Sequence, residues 1–173
     1  MAYKLVYYPD PLLKTISEPI KEFNFEELKT LSEDMIEAML ENNGMGLSAI
    51  QIGRPLRFMV LKSVGQEKIL YIGMANPMVV KHMGNELVGN EGCLSFPGIR
   101  TDVNRPEHID VKWHNLQGTE YITTFYGIEA RCIQHEIDHM DGITFIDKLP
   151  DYRRIKIQSK LTAMKRAYKA IEK

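Results

Sequence analysis

Residues 134–139 read QHEIDH, which contains the pattern HExxH. In a helix, residues four positions apart lie on one face, so the imidazoles of His135 and His139 are expected to project together. Two such nitrogens can bind one divalent metal ion, and Glu136 between them can accept a proton from a water molecule on that ion. The stretch therefore predicts a helix that carries two ligands of a catalytic metal site.

The segments around this pattern predict further helices. Residues 25–42 place apolar side chains at helical spacing, with Asn24 as the N-cap and Gly44 as the C-terminal stop. The helix that carries QHEIDH is expected to cover about residues 128–140 and to end near Gly142, which can adopt a positive φ. A final helix is expected from about residue 151 to residue 170.

Strand-like runs lie between the first two helices. The run 108–114 alternates apolar and polar residues, and a turn at 115–118 returns the chain as the second arm of a hairpin. The expected strands are residues 57–62, 68–73, 78–83, 108–114 and 121–126. We therefore expect an α+β fold, with antiparallel β-sheets packed around a central metal-binding helix and with an N-terminal and a C-terminal helix.

The length and composition favour one globular domain. The chain has 173 residues, 44% hydrophobic and 26% charged, so we expect a single catalytic domain over residues 1–173. No apolar run approaches the ~18 residues of a membrane span, and the N-terminus lacks the apolar core of a signal peptide. Two cysteines, Cys93 and Cys132, are too few for a disulfide scaffold, which favours a reducing, cytoplasmic location.

The C-terminal segment is strongly basic, although the whole chain has a net charge of only −1. From Tyr152 onward, eight basic residues stand against the single acidic residue Glu172, which gives +7 and leaves −8 for residues 1–151. Such a helix could contact RNA or an acidic protein surface. The alternative is a solvated amphipathic helix that docks on the protein through its apolar side chains. These side chains are Ile155, Leu161, Met164 and Ile171.

A catalytic metal site of this kind needs a third protein ligand and an open position for water. Cys132 precedes His135 by three residues and lies on the same helical face, so geometry permits it. Cys93 lies far away in the chain, in the segment EGCLS at residues 91–95. Ligands from separate elements close a tetrahedron more easily than three from one helix face, which favours Cys93 and leaves Cys132 open. Either cysteine could instead be an inert buried thiol.

The glycine-rich segment GMGLSAIQ at residues 44–51 fits the dinucleotide-binding pattern GxGxxA. That pattern should follow a strand and open a helix, whereas here it follows a helix and precedes a strand-like run, so we reject cofactor binding. Glycines also let a backbone approach an extended ligand closely, which suits a peptide that pairs along a sheet edge. The amide of Gln51 could donate a hydrogen bond there, or it could be a surface group after a helix cap.

Three segments, GMGLSAIQ (44–51), EGCLS (91–95) and QHEIDH (134–139), stand in the order and at about the separations of the signature motifs of peptide deformylases. The chain resembles that family over nearly its whole length, because YPDPL (8–12) and DGITFID (141–147) are also similar to it. The resemblance implies a metal-dependent hydrolase that removes the formyl group from N-formyl-methionine of nascent polypeptides and releases formate.

The resemblance also implies the catalytic groups. The ligands of one divalent metal ion would be Cys93, His135 and His139. Glu136 would be the general acid/base for a metal-activated water, and Gln51 and the backbone N–H of Leu94 would stabilise the developing oxyanion. Mixed nitrogen and sulfur ligands suit several metals. The resemblance implies Fe²⁺ in the cell, with Zn²⁺, Ni²⁺ or Co²⁺ in preparations.

Five residues would contact the substrate if the resemblance holds. The methionine side chain would lie in an apolar pocket lined by Ile128 and Cys132. The peptide backbone would lie along Met45, Gly46 and Gly92. The chain departs from the family at two positions. Met45 replaces isoleucine or valine and could alter the pocket wall, and Ser48 replaces an alanine of similar size.

Three polar residues near the motifs have open roles. Arg131 and Asp138 flank the HExxH pattern, and they either support the ligands through hydrogen bonds or form a solvent-facing salt bridge. The resemblance places Arg100 near the substrate path.

The expected partners are nascent N-formyl-methionyl peptides and, through the basic C-terminal helix, the ribosome. We expect neither a membrane nor sequence-specific nucleic-acid binding. Two alternatives stay open. Another HExxH metallopeptidase would need a downstream Glu or His ligand, and no histidine follows His139. A non-catalytic, metal-containing relative that binds ribosomes would need a fourth protein ligand, and the presence of Glu136 and Gln51 argues against it.

Overall fold

The strands of this protein form one antiparallel sheet. The computed structural model describes residues 4–65 and 68–171, and within these ranges five strands lie in the order of the chain. They are β1 (Gly46–Ser48), β2 (Phe58–Val64), β3 (Ile69–Gly92), β4 (Arg100–His114) and β5 (Glu120–Tyr126). Each strand pairs antiparallel with the next. The predicted α+β class is confirmed, but the strands form one hydrogen-bonded sheet rather than several.

Strand β3 is much longer than predicted, because the runs 68–73 and 78–83 belong to one strand. Asn76, with a φ of 50°, lies at a shift in the pairing between β3 and β4. Its side chain accepts a hydrogen bond from the N–H of Ile20 at 2.8 Å and donates one to the Ile20 carbonyl at 2.8 Å. The interruption is therefore an ordered bulge. The strand continues to residue 92 because residues 86–92 pair with β4.

Three helices accompany the sheet. They are α1 (Phe25–Glu41), α2 (Gly127–Met140) and α3 (Asp151–Ile171). Asn24 is the N-cap of α1 as predicted, and its side chain accepts a hydrogen bond from the N–H of Glu27 at 3.4 Å. The helix ends just before Gly44 as predicted, and the Gly44 N–H donates to the Met39 carbonyl at 2.8 Å, but the left-handed residue is Asn43, with a φ of 55°. Asparagine tolerates that conformation better than most residues. Helix α2 is followed by Gly142 at a φ of 71°, as predicted.

Helix α2, which carries the HExxH pattern, is fixed by burial of its apolar face against the sheet. The buried residues of this cluster are Met59, Leu61, Met74, Ile109, Val111, Phe125, Ala130, Ile133, Ile137 and Met140. A second cluster packs α1 against β1 and β2, and it includes Met35, Met39, Leu47 and Phe58. The two clusters hold β1 and α2 in contact, and the histidines of α2 are themselves buried.

The residues through which helix α3 docks differ in part from the predicted ones. Ile157 and Leu161 are buried in a third cluster, and Met164 packs partly against it. Ile155 does not dock, since it is 73% exposed and lies about 200° around the helix from Ile157. The side chain of Ile171 lies outside the described residues. None of the helices in the described part of the chain is long and apolar enough to cross a membrane.

We expect the substitution Leu161→Ala to lower the free energy of unfolding by about 2–5 kcal/mol, because it empties a fully packed position. Leu161 is only 2% exposed. The matched change Ile155→Ala on the exposed face should stay within about 0.5 kcal/mol of the parent protein. Urea denaturation followed by circular dichroism measures both values. Equal destabilisation by the two substitutions would contradict this docking mode of α3.

Candidate metal centre

Three potential metal ligands meet at the junction of β3 and α2. Cys93 follows the last residue of β3 and opens a turn in which the N–H of Phe96 donates to the Cys93 carbonyl at 2.9 Å. The Cys93 sulfur lies 3.1 Å from Nε2 of His139. One donor atom from each of Cys93, His135 and His139 lies within 4.8 Å of the other two. The structure thus brings Cys93, rather than Cys132, into a group with the two histidines.

The ring of His135 is oriented by Glu91, the first residue of the EGCLS segment. Its Nδ1 lies 3.0 Å from Oε2 of Glu91. A carboxylate on one ring nitrogen fixes the tautomer and leaves the other nitrogen free to bind a metal ion. No pattern in the sequence pointed to this role of Glu91, although it lies only two residues before Cys93.

Glu91 is itself held by a buried cluster of charges. Arg105 donates to both of its carboxylate oxygens, at 2.6 and 2.9 Å, and Arg131 donates to Oε1 at 2.8 Å. Arg105 also donates to Asp138 at 2.7 Å, and Lys148 lies 3.1 Å from the same carboxylate. Arg131 and Asp138 therefore belong to the cluster that supports the histidine, rather than to a separate surface salt bridge.

Burial and the neighbouring charges shift the pKa values of this cluster in opposite directions. Burial alone would raise the pKa of Glu91, but hydrogen bonds from His135 and Arg105 outweigh burial and hold it well below its usual range. Burial would likewise lower the pKa of His135, yet hydrogen bonds to Cys93 and Glu91 raise it to about 10. Burial holds the pKa of His139 well below its usual range. A metal ion would have to displace the proton from His135.

The carboxyl group of Glu136, the residue that follows His135, lies in a nearly closed position. Its side chain is only 4% exposed, and within residues 4–65 and 68–171 its Oε2 has no hydrogen-bond partner. Burial raises the pKa of Glu136, and the charge of His135 and hydrogen bonds from Ser48 partly oppose that shift. An unpartnered buried oxygen of this kind is suited to bind a water molecule or a polar substrate atom.

Gln51 reaches the same place from the other side. It lies in a short 3₁₀ helix (Ala49–Ile52) directly after β1 and is 1% exposed. Its Nε2 donates to Oγ of Ser95 at 3.2 Å and approaches the Cys93 sulfur at 3.4 Å. The surface alternative for Gln51 is therefore wrong, and its amide N–H groups point at the candidate metal site.

A cavity of about 560 Å³ opens onto this group of residues. All five residues predicted to contact the substrate line it, and Leu94 and Arg100 do so too. The five are Met45, Gly46, Gly92, Ile128 and Cys132. Tyr7 and Asn43 also line the cavity, and no pattern in the sequence pointed to them.

Gly46 lets β1 approach α2 very closely. A Cβ atom at this position would lie 2.5 Å from the sulfur of Cys132 and 3.0 Å from Oε1 of Glu136. Since real Cβ atoms do not come that close to other heavy atoms, only glycine fits there. Burial also holds the pKa of Cys132 well above its usual range, which keeps it a neutral, apolar-type thiol at this wall of the cavity.

The donor atoms satisfy what a divalent metal of intermediate softness requires. One sulfur and two imidazole nitrogens converge, one imidazole is oriented by a buried carboxylate, and a cavity leaves room for a further ligand. An antiparallel α+β protein with these features falls in the class of proteins with a Cys-His-His metal-binding set.

The family model of polypeptide deformylases matches residues 2–154. The chain belongs to the peptide deformylase family, so it is a hydrolase that acts in protein biosynthesis.

Individual relatives agree with the family model. A peptide deformylase of Endomicrobium trichonymphae is 40% identical over 164 residues, which cover 95% of this chain and 96% of the relative. The crystal structure of a peptide deformylase from Legionella pneumophila has a TM-score of 0.86 at 39% identity, covering 97% of this chain and 98% of that one. Peptide deformylase 1B of Arabidopsis thaliana gives a TM-score of 0.91 at 33% identity, with coverages of 96% and 92%.

We expect Arg105→Met to lower the free energy of unfolding by about 3–5 kcal/mol, because it removes one partner of a buried ion pair. Arg105 and Glu91 are only 3% and 5% exposed in their side chains. The control is Lys112→Met, which breaks a half-exposed pair with Glu120 and should cost at most about 1 kcal/mol. Urea denaturation at pH 7 measures both variants. Similar stability of the two would refute the importance of the buried cluster.

Proposed function

We propose that this chain, as one catalytic domain, hydrolyses the formyl group from N-formyl-methionine at the start of nascent polypeptides and releases formate. One observation carries the proposal. The donor atoms of Cys93, His135 and His139 converge, and Cys93 and His135 line one cavity together with Gln51 and with Glu136, whose Oε2 has no partner in the described ranges. An acid/base group, a hydrogen-bond donor and a metal-ligand set at one point are the parts that amide hydrolysis needs.

The proposed ligands of one divalent metal ion are Cys93, His135 and His139. When bound, such an ion lowers the pKa of a water molecule and polarises the carbonyl group to be attacked. The mixed sulfur and nitrogen donors are compatible with Fe²⁺, which the family resemblance suggests for the cell, and with Zn²⁺, Ni²⁺ or Co²⁺. Glu91 serves this site by holding His135 in the tautomer whose Nε2 faces the other donors.

Glu136 is the proposed general acid/base. Its Oε2 accepts the proton of the attacking water and then gives it to the leaving amine nitrogen of the methionine. Negative charge that develops on the formyl oxygen is stabilised by hydrogen bonds from Nε2 of Gln51 and from the N–H of Leu94. Loss of one such donor typically costs ~10²–10³ in rate. The side-chain amide of Gln51 is directed at Cys93, with its Nε2 3.4 Å from the sulfur.

The substrate is proposed to bind as an extended strand. Strand β1 is at the edge of the sheet, so one side of its backbone is not paired with another strand of the described chain. An extended peptide can pair with such an edge, along Met45 and Gly46 on one side and Gly92 on the other. The methionine side chain then packs against Ile128 and Cys132, which line the same cavity.

The ribosome is a proposed partner, through helix α3. Several basic side chains of this helix are already engaged with the rest of the protein. Arg153 donates to the carbonyl of Asp102, and Lys160 donates to the carbonyl of Gly98. Others lie exposed, among them Arg154, Lys156 and Arg166. Exposed cations on a docked helix suit a polyanionic partner such as ribosomal RNA. Because the proposed substrates are nascent formylated chains, the proposed location of the activity is the cytoplasm.

We expect Glu136→Gln to bind metal stoichiometrically and to lose at least about 10²-fold in kcat, because the general base is gone. Formate release from a short formyl-methionyl peptide, measured with nickel-loaded protein, gives kcat, and elemental analysis gives the metal content. The matched control is Glu129→Gln, the same change in the first turn of the same helix, where Glu129 accepts hydrogen bonds from Ser63 and Val64.

Glu129→Gln should keep the activity of the parent protein. A metal-replete Glu136→Gln protein with parental turnover would overturn the acid/base assignment. A parent protein that binds metal stoichiometrically but releases no formate would favour the non-catalytic, ribosome-binding alternative.

We expect the triple variant Arg154→Gln, Lys156→Gln, Arg166→Gln to bind ribosomes more weakly and with a shallower dependence on salt, because three phosphate contacts are lost. Sedimentation with purified ribosomes at several salt concentrations measures this. The control neutralises three exposed lysines outside α3, Lys21, Lys29 and Lys81. Equal weakening by the two triple variants would show that net charge, rather than α3, governs the interaction.

A further inference from the structure

Ser48, the last residue of β1, contacts Gln51 twice. Its backbone N–H donates to Oε1 of Gln51 at 2.9 Å, and its hydroxyl donates to the same oxygen at 2.8 Å. Ser48 has no exposed surface and Gln51 is 1% exposed. Water therefore cannot replace either contact without a rearrangement of the surrounding residues.

The opposite end of the Gln51 amide is also held. Its Nε2 donates to Oγ of Ser95 at 3.2 Å and approaches the sulfur of Cys93 at 3.4 Å. The orientation of the amide follows from donor and acceptor chemistry. A backbone N–H is always a donor, so the group that faces Ser48 must be the amide oxygen, and the NH₂ group must face Cys93.

We infer that Ser48 is a positioning residue, whose hydroxyl holds the Gln51 side-chain amide with its NH₂ group directed at the candidate metal site. This inference rests on the proposed function, in which that NH₂ group stabilises the formyl oxygen. The backbone N–H of Ser48 alone sets which end of the amide faces the site. A second donor from the same residue restricts rotation of the amide plane about that first hydrogen bond.

The physical reason for such a device is side-chain entropy. A free glutamine side chain loses rotational freedom when it is fixed in one conformation, and this loss opposes its fixation. If this loss occurs before the substrate arrives, the donor is already in place when charge develops on the oxygen. Three short polar contacts on a buried side chain, from Ser48 and Ser95, provide that fixation.

The test is the side-chain amide of Gln51, observed by NMR in the zinc-loaded protein. We expect two resolved, slowly exchanging proton signals in the parent protein. In Ser48→Ala, which keeps the backbone donor, exchange of these protons with water should accelerate about fivefold or more, as expected for loss of one hydrogen bond. Unchanged backbone amide signals elsewhere would show that the variant is folded.

The matched control is Ser17→Ala, at another buried serine. Ser17 is 2% exposed, and in the described ranges its hydroxyl has no hydrogen-bond partner. The exchange rate of the Gln51 amide should not change in this variant. If Ser48→Ala also leaves the exchange rate unchanged, the inference is overturned.

A double-mutant cycle separates positioning from a general loss of stability. In nickel-loaded protein, Ser48→Ala should lower kcat about fivefold with little change in KM, as one lost hydrogen bond predicts. In the Gln51→Ala background the same substitution should lower kcat by much less than fivefold, because only the interaction of Ser48 with Glu136 is then left to lose. An equal loss of kcat in both backgrounds would contradict positioning through Gln51.

Failure of the proposed function gives a different result. A parent protein that releases no formate would end the deformylase proposal, while the exchange experiment would still decide whether Ser48 holds the Gln51 amide.

Discussion

The carboxylate of Glu91 is the group on which the geometry of the candidate site depends. It stands at the end of β3, two residues before Cys93, and binds His135 of α2, Arg105 of β4 and Arg131 of α2. A buried carboxylate is stable only if its charge is neutralised and its lone pairs are used. The end of β3 therefore must meet α2 and β4 in this arrangement, and that meeting brings Cys93 to the two histidines.

A second constraint acts on the opposite wall of the site, where the backbone of β1 lies in close contact with helix α2. Gly46 allows β1 to lie against Cys132 and Glu136, and the chain after β1 then turns at once into the short helix that carries Gln51. Gln51 and Glu136, the proposed hydrogen-bond donor and the proposed acid/base group, are thus held by two elements that are in direct contact. Rigid elements of this kind position catalytic groups more accurately than loops do.

Local patterns predicted the helices well and the strands less well. Helix α2 shows apolar spacing and a terminal glycine, both of which act within a few residues, so its limits were predicted to within one residue. Strand β3 was predicted in two short pieces, because Asn76 and the polar stretch at 84–92 are typical of turns. Pairing with β4 makes that stretch a strand, and such pairing depends on residues far away in the chain. The prediction that Ile155 docks was wrong. The position of a residue around the helix, and not its apolar character alone, decides whether its side chain is buried.

For the site, the sequence alone determined a pair of histidines on one helix face with a glutamate between them, and it offered two cysteines for the third donor. The family resemblance pointed to Cys93, but the residues themselves left Cys132 open. Only the tertiary structure joined Cys93 to the histidines, supplied Glu91 and Arg105, and gave Ser48 its contact with Gln51. The physical reason is that these residues are far apart along the chain. Glu91 meets His135 across 44 residues and Arg105 across 14, and no local periodicity encodes which buried charges will neutralise one another.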